Sequence, residues 1–167
     1  MPSEICILTQ EDISARILRL AYELYESHFT LEKFHFVGVD HRGSLLAAHL
    51  CNALEAISGR PTELSYLPRL DADVTLTHEE LNAPKEATQP LFLVDDVLYT
   101  GRTLFTAMVW ASRRNPAFIR SVVLIDRGHR SLPVAADYVG LELATTLQEY
   151  VFVRYDSHSN QFSAFLS

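Results

Sequence analysis

Leu91-Phe-Leu-Val-Asp-Asp-Val-Leu-Tyr-Thr-Gly-Arg-Thr103 sets two adjacent carboxylates at the end of an apolar run and follows them with a turn rich in phosphate-binding groups. Four consecutive apolar residues, Leu91 to Val94, read as a strand buried on both faces, because no solvent-facing alternation is present. Asp95 and Asp96 are expected to break that strand. Two acidic side chains beside an apolar core are costly without hydroxyls, donors or ions around them, so they are placed at a carboxyl edge, where α/β proteins bind ligands. Thr100, Gly101, Arg102 and Thr103 then supply hydroxyls, a flexible backbone and a helix start near Arg102 whose free N–H groups suit an anion. Carboxylates for hydroxyls and a nest for phosphate together suggest a phosphorylated sugar.

The same β-loop-α grammar appears upstream. Residues 33–39 read as a short buried strand and residues 44–58 as a helix with an apolar stripe at Leu46, Leu50, Leu54 and Ile57, ending at Gly59; residues 40–43 form the loop between them. Residues 10–27 have Ile13, Ile17, Leu20, Ala21 and Leu24 at helical spacing behind a Thr9/Asp12 capping pair. Leu104, Met108 and Ala111 supply the inward face of the helix after Arg102, which Asn115-Pro116 stops. Two such units imply a parallel sheet flanked by helices. Strands are also expected at 62–67, 72–77, 119–125 and 150–155, the last near a sheet edge, with a hairpin through 156–160 to the alternating Phe162, Ala164 and Leu166.

The chain has 167 residues, 48% hydrophobic and 21% charged. That is one domain's worth of sequence, able to bury roughly 70% of its unfolded surface, and it excludes a disordered or fibrous chain. Fourteen basic against twenty-one acidic residues give a net charge of −7, which argues against broad binding to a phosphate backbone. Arg113 and Arg114 fit the last turn of a helix, where cations complement the dipole. No run approaches the roughly 18 apolar residues of a membrane span and the start lacks a leader's pattern, so a cytoplasmic protein without membrane contact is expected. Cys6 and Cys51 show no metal-ligand spacing and read as small reduced core residues.

The 91–103 segment resembles the PRPP-binding motif of type I phosphoribosyltransferases, and most closely that of the PyrR family, pyrimidine-operon attenuators that also have uracil phosphoribosyltransferase activity. Two further blocks carry the resemblance in the right order. Phe36-Val-Gly-Val-Asp-His-Arg-Gly43 stands where that family has its pyrophosphate loop. Val123-Leu-Ile-Asp-Arg-Gly-His-Arg-Ser-Leu-Pro133 with Ala136-Asp-Tyr-Val-Gly140 looks like its signature near the base pocket. The resemblance implies a single domain over residues 1–167 with a mostly parallel sheet and a small hood built from both chain ends.

It also implies Mg²⁺-dependent transfer of the phosphoribosyl group of PRPP to uracil, giving UMP and pyrophosphate. Asp95 and Asp96 would hold the ribose hydroxyls and the metal, directly or through the ligand. Val97, Leu98, Tyr99, Thr100, Gly101, Arg102 and Thr103, with His41, Arg42 and Gly43, would complete the PRPP site. Arg42 would act with the two aspartates in catalysis, as a forked donor to pyrophosphate oxygens. Asp126, Arg127 and His129 would face the base, although a charged loop knitted by Asp126 to Arg127 or Arg130 is the plainer reading of that block. His41 equally suits a plain surface position. A homodimer or larger homo-oligomer is implied too.

The chain departs from the family in two places. Asp40 stands where relatives usually carry lysine, putting an anion beside a site for a polyanion. Residues 61–90, where relatives carry a basic mobile loop, read short and acidic through Leu67-Pro-Arg-Leu-Asp-Ala-Asp73 and Thr77-His-Glu-Glu80, with only Arg69 and Lys85 basic. Two alternatives therefore stand beside the enzyme: an RNA-binding regulator of pyrimidine genes, and a homologue that binds PRPP or nucleotide with little turnover. Ala135 and Leu141, at positions where relatives are basic, weigh against the RNA reading.

Overall fold

The computed structural model describes residues 4–69 and 89–167. The expected strand over 72–77, and the acidic stretch from Leu70 through Lys85, lie outside the described residues.

Two β-loop-α units set the frame. Strand β2 (Phe34–Val39) leads into helix α2 (Asp40–Ser58) and strand β3 (Thr62–Leu67); strand β4 (Leu91–Leu98) leads into α3 (Arg102–Ser112) and β5 (Ile119–Asp126). Both units pair in parallel, and β6 (Tyr138–Glu142) adds to β5, giving a five-stranded sheet in the order β3-β2-β4-β5-β6. The chain winds outward through β3 on one side of β2 and through β5 and β6 on the other side of β4. The order therefore reverses between β2 and β4, the point at which a crevice opens above the carboxyl ends of the strands.

Apolar faces on both sides hold the layers together. Helix α1 (Gln10–Ser27) begins at a capping box, Thr9 Oγ1 accepting from the Asp12 amide at 3.3 Å and Asp12 Oδ2 from the Thr9 amide at 2.9 Å. Its buried Ile13, Ile17, Leu20, Ala21 and Leu24 pack with α2 over one face of the sheet. Phe34, Phe36 and Phe92 are packed together there with ring centroids 5.4–6.3 Å apart, each fully buried and worth about 1.5–3 kcal/mol of hydrophobic stabilisation. The other face carries Val37, Val39, Leu91, Leu93 and Val123 under Leu104, Ala107 and Trp110 of α3.

A second sheet in the order β1-β8-β7 forms the hood. It joins β1 (Ile5–Leu8) and β7 (Val151–Asp156) to the central β8 (Gln161–Leu166), all antiparallel. The C-terminal hairpin was expected from its alternation; its partner β1 and the strand β6 were not. Three other expectations need correcting. Asp95 and Asp96 do not end β4, which continues to Leu98 because Asp95, Val97 and Leu98 still pair with β5. Residues 40–43 are not a free loop but the first turn of α2. Cys6 is exposed on the hood, whereas Cys51 is buried, with its thiol pushed up to about 11 by desolvation. Among the described residues no helix is long and apolar enough to cross a membrane.

Candidate active site

One cavity of about 210 Å³ opens above the switch point between β2 and β4. Its lining gathers Asp40 and Arg42 from α2, Asp95 to Thr100 from β4 and the turn after it, Gly101 to Leu104 at the start of α3, and Arg127, Tyr150 and Val151 from the base side and hood, with Arg69 beyond β3. The expected sugar-phosphate residues Asp95, Asp96, Val97, Leu98, Tyr99, Thr100, Gly101, Arg102 and Thr103 thus share one wall. His41 and Gly43 do not line it. His41 is exposed and turns with Arg42 to a separate groove against Phe152 to Tyr155. Gly43 is packed on β4, where a Cβ would lie 2.5 Å from the Val94 carbonyl oxygen, so glycine lets α2 approach the strand rather than a ligand.

The two aspartates sit in different surroundings. Asp95 is buried, and desolvation first, then the neighbouring charges of Asp96 and Asp40, hold its carboxyl well above the ordinary carboxylate range. Its Oδ1 accepts from the Asp96 amide at 2.9 Å. Asp96 is more open; Oδ1 accepts from the Val97 amide at 2.9 Å, and Oδ2 lies 3.4 Å from Arg42 Nη1. One acid is thus buried against its neighbours' charges while the other is met by a half-exposed cation.

The turn into α3, expected to receive a phosphate, is shaped by Gly101. Its φ of 85° and the lack of room for a Cβ, which would run into Val134 Cγ2, make glycine obligatory there. It precedes α3, where Thr100 Oγ1 accepts from the Arg102 amide at 3.4 Å and the amides that follow in the first turn face an anion favourably.

The base-side block is more tightly bound internally than its sequence suggests. Asp126 accepts from the Gly128 amide at 2.9 Å and pairs with Arg130, as the plainer reading of the sequence had it. Arg127 is only 2% exposed: Nε donates to Thr145 Oγ1 at 3.1 Å, Nη2 donates to the Glu149 carbonyl, and the guanidinium covers Tyr99. His129 Nε2 meets the Thr145 carbonyl. Asp126, Arg127 and His129 line a shallow cavity with Glu142 to Thr145, next to the first cavity and sharing Arg127 with it. Tyr150 and Val151, hood residues on the main cavity, were not singled out in the sequence; the only signal was their strand pattern.

A family model of the phosphoribosyl transferase domain matches residues 6–156. The bifunctional protein PyrR of Bacillus subtilis (strain 168) is 34% identical over 174 residues, covering 93% of this chain and 92% of that one. The protein of the same name from Haemophilus influenzae (strain PittEE) is 34% identical over 168 residues, with 90% and 91% covered. Among solved structures, a hypoxanthine-guanine phosphoribosyltransferase from Bacillus anthracis superposes with a TM-score of 0.76 at 16% identity, over 97% of both chains. The hypoxanthine phosphoribosyltransferase of Trypanosoma cruzi in complex with the product IMP does so at 0.73 and 22%, over 94% and 88%. Those two likenesses establish the fold. The domain match and the near-full-length PyrR relatives go further, and place this chain in the PyrR family of type I phosphoribosyltransferases.

Proposed function

We propose that the protein transfers the phosphoribosyl group of PRPP to uracil, giving UMP and pyrophosphate. The observation that carries this reading is the gathering of Asp95, Asp96 and the start of α3 around one cavity at the switch point. The start of α3 and the Thr100 and Thr103 hydroxyls receive the 5′-phosphate. Asp95 and Asp96 accept from the ribose hydroxyls, and their negative charge favours the ring as it becomes cationic. Arg42 leaves Asp96 and turns to the departing diphosphate, which a permanently charged fork suits. Asp126, Arg127 and His129 form the wall against the base; Arg127 does so by fixing residues 145–149.

The acidic side chains on this cavity fit a magnesium ion held mainly by ligand oxygens. Asp40, Asp95 and Asp96 crowd negative charge together, yet among the described residues no group of three or more His, Cys, Asp or Glu could hold a metal alone. When bound, magnesium neutralises charge on the leaving pyrophosphate.

Pyrophosphate release assayed with a panel of bases tests the reading. Release with uracil, lost in the Asp95→Asn/Asp96→Asn double variant with the fold intact, is the expected result; unchanged turnover in that variant would refute the assigned roles. Nucleotide binding without release for any base would favour a sensor instead.

The relatives' printed name, bifunctional, supports a second activity, and RNA is the partner the family resemblance implies. The net charge of −7 weighs against it. Filter binding to pyrimidine leader RNA decides: affinity no steeper in salt than about one phosphate contact would dispose of the regulator. We also propose self-association, supported by exposed apolar side chains such as Leu64 and Tyr66 on the edge strand β3 and Phe105 on α3, and testable by light scattering.

A further inference from the structure

Two helix starts border the cavity, and they differ in the charge of the group that meets an early amide. At α3 a neutral hydroxyl, Thr100 Oγ1, accepts from the Arg102 amide at 3.4 Å. At α2 the first residue is itself a carboxylate. Asp40 has a φ of 59°, a left-handed backbone that few residues other than glycine and asparagine or aspartate adopt. In that conformation its Oδ1 accepts from the His41 amide at 2.7 Å. An N–H group that a helix start would offer to an incoming anion is therefore already taken by an anion belonging to the chain.

Position makes this consequential. Asp40 lines the cavity together with Asp95 and Asp96, and the start of α3 lines it too. A ligand with one phosphate can seat it at the start of α3, where the proposed function places it. A ligand with phosphate at α3 and a diphosphate on the anomeric carbon must bring the second group toward Asp40. Arg42 is the cation at that end, and it is shared with Asp96. The charge of Asp40 already reaches Asp95, where it is one of the causes that raise the carboxyl above its ordinary range.

We propose that Asp40 is a specificity-determining residue: its carboxylate occupies the anion seat at the start of α2, so the cavity prefers a nucleoside monophosphate to a ligand that also carries a diphosphate. The inference rests on the site assigned under the proposed function and deepens it. It predicts an enzyme that holds its nucleotide product well, needs high PRPP, and depends steeply on divalent cation, because a cation bound with the diphosphate offsets the Asp40 charge.

The experiment is calorimetric titration of UMP and of inorganic pyrophosphate into the full chain, the Asp40→Asn variant and the Asp40→Gly variant, each at low and high Mg²⁺. Asparagine tolerates the left-handed backbone and can keep the bond to the His41 amide, so it removes the charge alone; glycine removes the charge and the cap. Both variants should bind pyrophosphate about tenfold more tightly or better, the effect expected of deleting one like charge about 5 Å away in a screened site. UMP should move less than about twofold on the same scale, because its phosphate sits at the other helix. The Mg²⁺ dependence of pyrophosphate binding should flatten in both variants. Pyrophosphate affinity unmoved in both variants, with UMP still bound, would overturn this inference and leave the functional reading standing. So would an equal gain for both ligands. No binding of either ligand by any of the three proteins would overturn both.

Discussion

The guanidinium of Arg127 lies over the ring of Tyr99, its Cζ 4.1 Å from the ring centroid. Tyr99 belongs to the turn that leads into α3, and Arg127 to the segment after β5. The same guanidinium holds Thr145 and the Glu149 carbonyl, so one buried cation fastens three separate segments around the cavity. Arg127→Ala should therefore cost about 3–5 kcal/mol, since it leaves polar groups unpaired and removes a stacked side chain from the interior. Urea unfolding measures this. A change below about 1 kcal/mol would show that the clasp carries little weight. Arg127→Lys should recover only part of the loss, because an ammonium cannot donate in that fork while lying flat on the ring.

Asp95 gives stability a pH dependence of known sign. Its carboxyl titrates higher when folded than its ordinary value of 3.8, so the folded state binds the extra proton and stability falls as pH rises from about that value through the folded titration. Asp95→Asn keeps an acceptor for the Asp96 amide and removes the buried charge. At neutral pH it should stabilise the ligand-free protein by about 0.5–2 kcal/mol while abolishing transfer, a trade between stability and activity. Thermal unfolding at several pH values checks it; a destabilised Asp95→Asn protein would contradict the electrostatic account.

Three histidines act at the acid end with the opposite sign. His28, His35 and His49 are all held below the ordinary 6.5, chiefly by burial. The unfolded chain then takes up protons that the fold resists, so stability is full above pH 6.5 and declines as pH falls below it. In His35 burial lowers the imidazole most, while Glu63, 3.0 Å from Nδ1, pulls the other way without reversing it. The urea midpoint should fall between pH 6.5 and 5, and a flat profile there would show that these rings titrate normally.

Two glycines with similar backbone angles should respond differently to alanine. Gly101 and Gly128 have φ of 85° and 76°, but a Cβ at Gly101 meets Val134, whereas nothing lies within 4 Å of one at Gly128. Gly128→Ala should cost about 1–2 kcal/mol for the left-handed backbone. Gly101→Ala should cost about 2–4 kcal/mol, because overpacking is added, and should also weaken phosphate binding. Equal costs would mean that Val134 moves aside freely.

What the sequence revealed and what it hid divide along the range of the interactions. The units 33–58 and 91–114 were readable because apolar runs and helical stripes are local, and Asp95, Asp96 and Thr100 to Thr103 follow from their place at the end of one such run. Strand β1 was missed because only Leu8 of its four residues is fully buried, and β6 because Gly140 interrupts its pattern. Arg42 beside Asp96 spans 54 positions, and the Arg127 clasp exists only once the hood is folded; no periodicity encodes either. Gly43 was read as a ligand contact because a glycine at a helix start fits both uses, and only packing shows that it serves β4.

The hood ties the first strand of the fold to the last. Ile5 to Leu8 pair with Ala164 to Leu166, and the segment carrying Val151 over the cavity leans on that same central strand. During synthesis the five-stranded sheet can assemble while translation continues, but the roof above its crevice must wait until residue 166 has left the ribosome. A nascent chain would thus expose its acids to water before it could shelter a sugar phosphate, and competence to bind would arrive in a single late step.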